Sequence, residues 1–125
     1  MIPPQLKVTV LGCSGSYANA GGACTGFLVQ SPKANVWLDA GPGTLANLQD
    51  HIELSELTAI VLSHEHADHW LEIPVVYNAI RHYVMCDPVP VYGTTGTFAL
   101  AKSCLLYTSP SPRDQRGSGM AAWGV

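Results

Sequence analysis

The sequence predicts an α/β chain, and three observations carry that prediction. Short β-rich runs ("LKVTVLG", "TGFLVQ", "NVWLDAG", "LTAIVLS" and "PVPVYG") alternate with segments whose apolar residues recur at helical spacing. Apolar residues make up 47% of the 125 and charged ones 12%, which suits elements buried on more than one side and excludes a disordered chain. Glycine and proline clusters ("GCSGS", "SPK", "GPGT") fall between the runs, where turns are needed.

Each element follows from its residues. Leu6 to Gly12 reads as a first strand ending in the glycine and serine turn Gly12 to Ser16. "TGFLVQ" and "NVWLDAG" flank a Ser31-Pro32 turn signal and predict an antiparallel hairpin. "GPGT" turns the chain, and Thr44 is expected to cap a short helix through about His51 with Leu45 and Leu48 on one face. "LTAIVLS" is a continuous apolar run, the pattern of a strand covered on both faces. From Leu71 to about Val84 a helix is expected to bury Leu71, Val75, Ile80 and Val84, with Pro74 in its first turn. "PVPVYG" adds a short strand, and "TGTFALAKS" opens another helix capped by Thr95 or Thr97.

A formal net charge of −3 removes the electrostatic footprint that sequence-independent nucleic-acid binding needs, so a phosphate-bearing substrate would rely on bound metal ions for positive charge. Cys13, Cys24, Cys86 and Cys104 show no C-x-x-C spacing, and are expected to be reduced thiols in a cytoplasmic setting. The opening "MIPPQLKVTV" lacks a charged region followed by an apolar one, so no secretory leader is expected there, and no apolar run reaches membrane-spanning length.

The segment from Cys104 to Val125 breaks the alternation. Its serine, proline, arginine and glycine have no period of either kind, as in a linker or tail. "CLLYTSPSPRD" resembles, residue for residue, one translated frame of a transposase adapter used in DNA sequencing libraries. On that resemblance residues 1–103 are a partial domain, and 104–125 are a non-native tail expected to lack regular structure.

The densest chemistry lies in "SHEHADHW", Ser63 to Trp70, which holds three of the five histidines and two acids directly after an apolar strand. In an extended segment residues two apart point the same way, so His64 and His66 can place imidazole nitrogens on one cation. Asp68 and His69 follow a bend and can face the same pocket from another side, where they would hold a second cation. Imidazole with carboxylate suits zinc, with Mn2+ or Fe2+ as the alternatives where oxygen ligands contribute more. Three imidazoles and an acid crowded together with nothing to bind would be costly, because partial protonation brings like charges together. Glu65, between two candidate ligands, reads as a solvated acid pointing away; His51 and His82 read as ordinary histidines.

H-x-H-x-D-H after an apolar strand resembles the signature of the metallo-β-lactamase superfamily. "VTVLGCSGS", "VWLDAGPGT" and "LSHEHADHWLEIP", in that order, resemble its ribonuclease Z-like and phosphodiesterase-like branch, from Leu6 to about Ser103. The resemblance implies the N-terminal half of an αββα sandwich, truncated, with an apolar sheet face left open to self-association into a homo-oligomer. It implies His64 and His66 as ligands of a first zinc, Asp68 and His69 as ligands of a second, and Asp68 as the catalytic proton acceptor. Asp39 would brace the site without binding metal, and Gly41 and Gly43 would let its loop approach closely.

The family also needs a further histidine, an acid bridging both metals and a last histidine. Neither His82 nor Asp87 has the context to replace them. The implied activity is metal-dependent hydrolysis of a phosphodiester, in an RNA trailer or a cyclic nucleotide, with the acidic body favouring small substrates. The alternatives are another hydrolase of this fold acting on an ester, thioester or lactam, or a half-domain without function.

Overall fold

A computed structural model describes residues 5–105 and 120–125. A mixed sheet in the order β1-β2-β3-β4-β5-β6 forms the centre: β1 (Lys7–Gly12), β2 (Gly26–Ser31), β3 (Ala34–Ala40), β4 (Ala59–Val61), β5 (Pro90–Thr94) and β6 (Met120–Gly124). β1, β2 and β3 form an antiparallel meander, with the turn at Ser31 where proline follows. β3, β4 and β5 then run parallel, each step crossing through helical segments, so their carboxyl ends lie along one edge.

Among the described residues, four α-helices and a 3-10 turn (Leu54–Glu56) accompany the sheet: α1 (Thr44–Leu48), α2 (Ala67–Trp70), α3 (Ile73–Asn78), which continues as a π-helical turn over Ala79–Val84, and α4 (Thr95–Leu105). α1 packs on β1 and β2, α2 on β3, and α4 on β5. The strand register sorts the side chains by face. Thr9, Leu28, Trp37, Ile60 and Val91 stand in one row across the sheet, and the last four are fully buried beneath the helices. Each such large apolar side chain contributes about 1.5–3 kcal/mol on burial. Val10, Phe27, Leu38, Val61 and Tyr92 form a row on the opposite face, where Val10 stays 57% exposed. β4 is therefore covered on one face rather than two.

Several local expectations are corrected. Thr44 is the first residue of α1 rather than its cap; Gly43 takes the cap position at φ 94°, and the Thr44 hydroxyl donates to the Gly41 carbonyl at 2.6 Å. The buried stripe after Trp70 is Ile73, Val76, Tyr77 and Ile80, while Leu71, Val75 and Val84 are exposed. Both sets recur near helical spacing, and packing against the rest of the core selects the one at spacing 3, 4 and 7. Pro74 does lie in the first turn of α3. The cap of α4 comes from Thr94, whose hydroxyl accepts the Thr97 N–H at 3.1 Å.

The segment from Cys104 also departs from expectation at both ends. α4 runs on through Cys104 and Leu105, and residues 120–124 pair antiparallel with β5. The unpaired backbone of β5 offers a template for such a strand. Residues 106–119, the greater part of the adapter-like stretch, lie outside the described residues. Among the described residues, no helix is long and apolar enough to cross a membrane.

Candidate metal centre

The edge where β3 and β4 end carries the cluster. Asp39 is the penultimate residue of β3, and Ser63 and His64 follow β4, so the parallel register brings them together at the carboxyl ends of adjacent strands. Asp39 is 5% exposed and sits at φ 64°, a backbone conformation a non-glycine residue holds only when its surroundings fix it. The fixing contacts are visible. Asp39 Oδ1 accepts the Ser63 N–H at 2.7 Å, and its Oδ2 accepts the Ser63 hydroxyl at 2.8 Å and contacts His69 Nδ1 at 2.8 Å.

These bonds set the histidine tautomers. An ionised carboxylate only accepts, so His69 must carry its proton on Nδ1. Ser63 spends its single hydroxyl proton on Asp39, which leaves its oxygen to accept from His64 Nδ1 at 2.9 Å. Asp39 thereby fixes both rings, one directly and one through Ser63, with the Nε2 lone pairs left for the site. That is how histidines are prepared to bind metal.

The structure brings the four candidate donors together in pairs. His66 is the cap residue of α2, and Asp68 and His69 lie on its single turn. The ring centroid of His64 is 4.7 Å from that of His66 and 4.1 Å from that of His69. His69 Nε2 lies 3.2 Å from Asp68 Oδ2. With the proton on Nδ1, that is a lone pair facing a carboxylate, an arrangement relieved by a proton or a cation between them. The donor set therefore suits a divalent cation in kind. It is also short, because among the described residues no group of three or more histidine, cysteine, aspartate or glutamate side chains is arranged to hold a metal ion.

The surrounding frame is tight. A Cβ on Gly41 would collide with the Asp68 carbonyl oxygen and come within 2.8 Å of Cys24 Cβ, so the turn after Asp39 requires glycine there. Cys24 is 1% exposed, and burial first, then the Asp68 charge, pushes its thiol pKa up. Glu65 points away from the cluster as expected; its carboxylate lies over Gly96 at the start of α4 and accepts a long bond of 3.4 Å from Thr94. His51 and His82 are exposed and outside the cluster. Two residues were not singled out by the sequence reading, Ser63 and Glu72. Glu72 Oε2 accepts the Gly43 N–H at 2.5 Å, a contact between residues 29 apart with no local signal.

This fold and this loop define a class. The profile of the metallo-beta-lactamase superfamily matches residues 20–97, and the chain belongs to that superfamily. It is 40% identical over 68 residues to a probable metallo-hydrolase, YhfI, of Bacillus subtilis, which covers 54% of this chain and 28% of the relative. It is 29% identical over 94 residues to ribonuclease Z of Methanosarcina acetivorans, covering 74% of this chain and 31% of the relative. The crystal structure of the Bacillus YhfI protein superimposes with a TM-score of 0.62 at 34% identity over 64% of this chain and 32% of that one. Human tRNase Z, short form, superimposes at 0.66 with 23% identity over 77% of this chain and 38% of that one, a likeness of fold. The chain spans roughly a third of the length of the curated relatives it matches, between 28% and 34%.

Proposed function

We propose that the complete protein is a metal-dependent hydrolase of phosphodiester bonds, acting on an RNA trailer or a cyclic nucleotide. The observation that carries this reading is the Asp39 network, which engages His69 Nδ1 directly and His64 Nδ1 through Ser63 and leaves the Nε2 of each ring as its acceptor. His64 and His66 would hold one zinc ion, Asp68 and His69 a second, with Mn2+ or Fe2+ as substitutes. The chemistry such cations supply is a water acidified toward neutrality and positive charge beside phosphorus. Asp68 accepts a proton during attack, and Asp39 with Ser63 keeps the imidazoles in their acceptor tautomers.

The charge pattern supports both the metals and the substrate class. No lysine or arginine occurs between Lys33 and Arg81, while that stretch holds Asp39, Glu65, Asp68 and Glu72 around the cluster. An anionic phosphodiester would meet attraction here from bound cations. The absence of basic side chains favours a small substrate over a long RNA, and relatives named ribonuclease Z keep RNA in view. Ester, thioester or lactam hydrolysis on the same fold is the rival chemistry.

In a version extended to the length of the relatives, alanines at both His64 and His66 should abolish bound zinc and turnover together. Turnover retained by that double variant would overturn the reading. A second reading concerns the chain as it stands, and the short donor set favours it: this portion binds metal weakly and is inactive. Metal analysis of the purified chain separates the two, since near-stoichiometric zinc with activity defeats the inactive-portion reading.

A further inference from the structure

Glu72 is tied to the turn after Asp39 at both of its ends. Its backbone N–H donates to the carbonyl of Ala40, the residue directly after Asp39, at 3.0 Å, and its carboxylate accepts the N–H of Gly43. The turn it spans is also pinned from within, where Thr44 donates its N–H and its hydroxyl to Gly41 O at 3.0 and 2.6 Å, and from the far side, where Gly41 N–H donates to Thr25 O and Cys24 N–H to Pro42 O, each at 2.9 Å. Glu72 comes three residues after His69 and four after Asp68, just past the end of α2. The helix that carries two candidate ligands is therefore bolted to the strand end that carries Asp39. Gly41, inside the clamped turn, presses against the Asp68 carbonyl, so nothing but hydrogen separates the two segments.

We propose that Glu72 is a positioning residue: by holding residues 40–43 against α2 it sets the Asp39–His69 hydrogen bond, and through it the ring orientation of the proposed metal centre. The inference rests on the reading of His69 as a metal-holding residue, and its first readout does not depend on metal. A role confined to capping the five-residue α1 would lower thermal stability and leave His69 unchanged.

The test is the imidazole proton–nitrogen spectrum of the metal-free chain, in a mild non-ionic detergent that covers the apolar sheet face. Circular dichroism confirms the fold of each variant. The wild-type chain should show a hydrogen-bonded Nδ1–H, assigned to His69 by its loss in His69→Gln. Glu72→Gln keeps an acceptor at the same reach and should keep that signal. Glu72→Ala, and Glu72→Asp with its shorter arm, should lose it while remaining folded. Where Glu72→Ala does not fold, the glutamine and aspartate variants carry the comparison. A folded alanine or aspartate variant with the wild-type His69 signal overturns the inference. Zinc competition against a chromophoric chelator then separates the two readings, with an affinity loss of about tenfold or more expected for Glu72→Ala. If the signal is lost and zinc affinity does not move, the clamp stands and the assignment of His69 to the metal fails.

Discussion

The two faces of the sheet are built from the same strands, one residue out of phase, and they meet different surroundings. On one face Leu28, Trp37, Ile60 and Val91 are fully buried under the helices, and Asp39, two residues beyond Trp37 on β3, meets Ser63 at the carboxyl ends of the strands. On the other, Val8 and Val10 are 58% and 57% exposed, beside Phe27, Val29, Val36, Leu38 and Val61. The open face carries no charge in these two rows, although it is the face a soluble one-sided sheet would make polar. The strands are thus written for cover on both sides, which agrees with a chain that spans about a third of its relatives.

The contrast can be broken most severely at Trp37. Replacement by alanine should cost about 3–5 kcal/mol, read as a lower denaturant midpoint, because the cavity lies in the centre of the covered face. Trp37→Phe should cost much less, about 1.5 kcal/mol or under, since among the described residues the indole N–H it removes has no hydrogen-bond partner. If Val10→Ala on the open face cost as much as Trp37→Ala, the two faces would not differ as described.

The open face should also make the chain self-associate, as a contiguous apolar surface does. Val10→Lys on edge strand β1 is expected to weaken that association at least tenfold in sedimentation equilibrium, while changing the stability of the single chain by under about 1 kcal/mol. A wild-type chain that stays monomeric at high concentration would break this side of the comparison.

Asp39 sits where the covered face gives way to the cluster, and Asp39→Asn sharpens what it does there. Asparagine tolerates the same positive φ, so the backbone survives. Its amide cannot accept all three bonds that the carboxylate accepts, and about 1 kcal/mol of stability should be lost, read from denaturant unfolding. Zinc affinity should fall about tenfold or more by chelator competition, as is usual when a residue behind a ligand is replaced.

How much of this was legible in the sequence depends on whether the cause is local. β1, β2 and β3 were legible because Val/Thr/Leu alternation and the Ser31-Pro32 punctuation act within a few residues. The histidine cluster was legible because its donors are adjacent in sequence and the strand before it fixes where they emerge. The face of α3 was misread because Leu71, Val75, Ile80 and Val84 also recur near helical spacing, and the choice between that stripe and Ile73, Val76, Tyr77 and Ile80 is made by packing against the rest of the core. Glu72 and Ser63 were missed because what each contributes comes from partners 29 and 24 residues away. The strand at 120–124 was missed because its pairing comes from the exposed edge of β5 rather than from its own residues.

The smallest expected effect compares two thiols on either side of the same loop. Cys13 is exposed and Cys24 is buried against the turn that contacts Asp68. Burial, reinforced by the Asp68 charge, raises the Cys24 pKa, so its reactive thiolate is scarcer than that of an ordinary cysteine. A disulfide reagent near neutral pH should therefore modify Cys13 well before Cys24, as mass spectrometry of digested samples would show. The sign for stability follows from linkage. The folded state holds this thiol proton more tightly than the unfolded chain does, so the contribution is complete below the usual thiol pKa and is lost as pH rises through the higher folded value. Cys24→Ser should abolish that alkaline loss, and its persistence in the variant would assign it to another group.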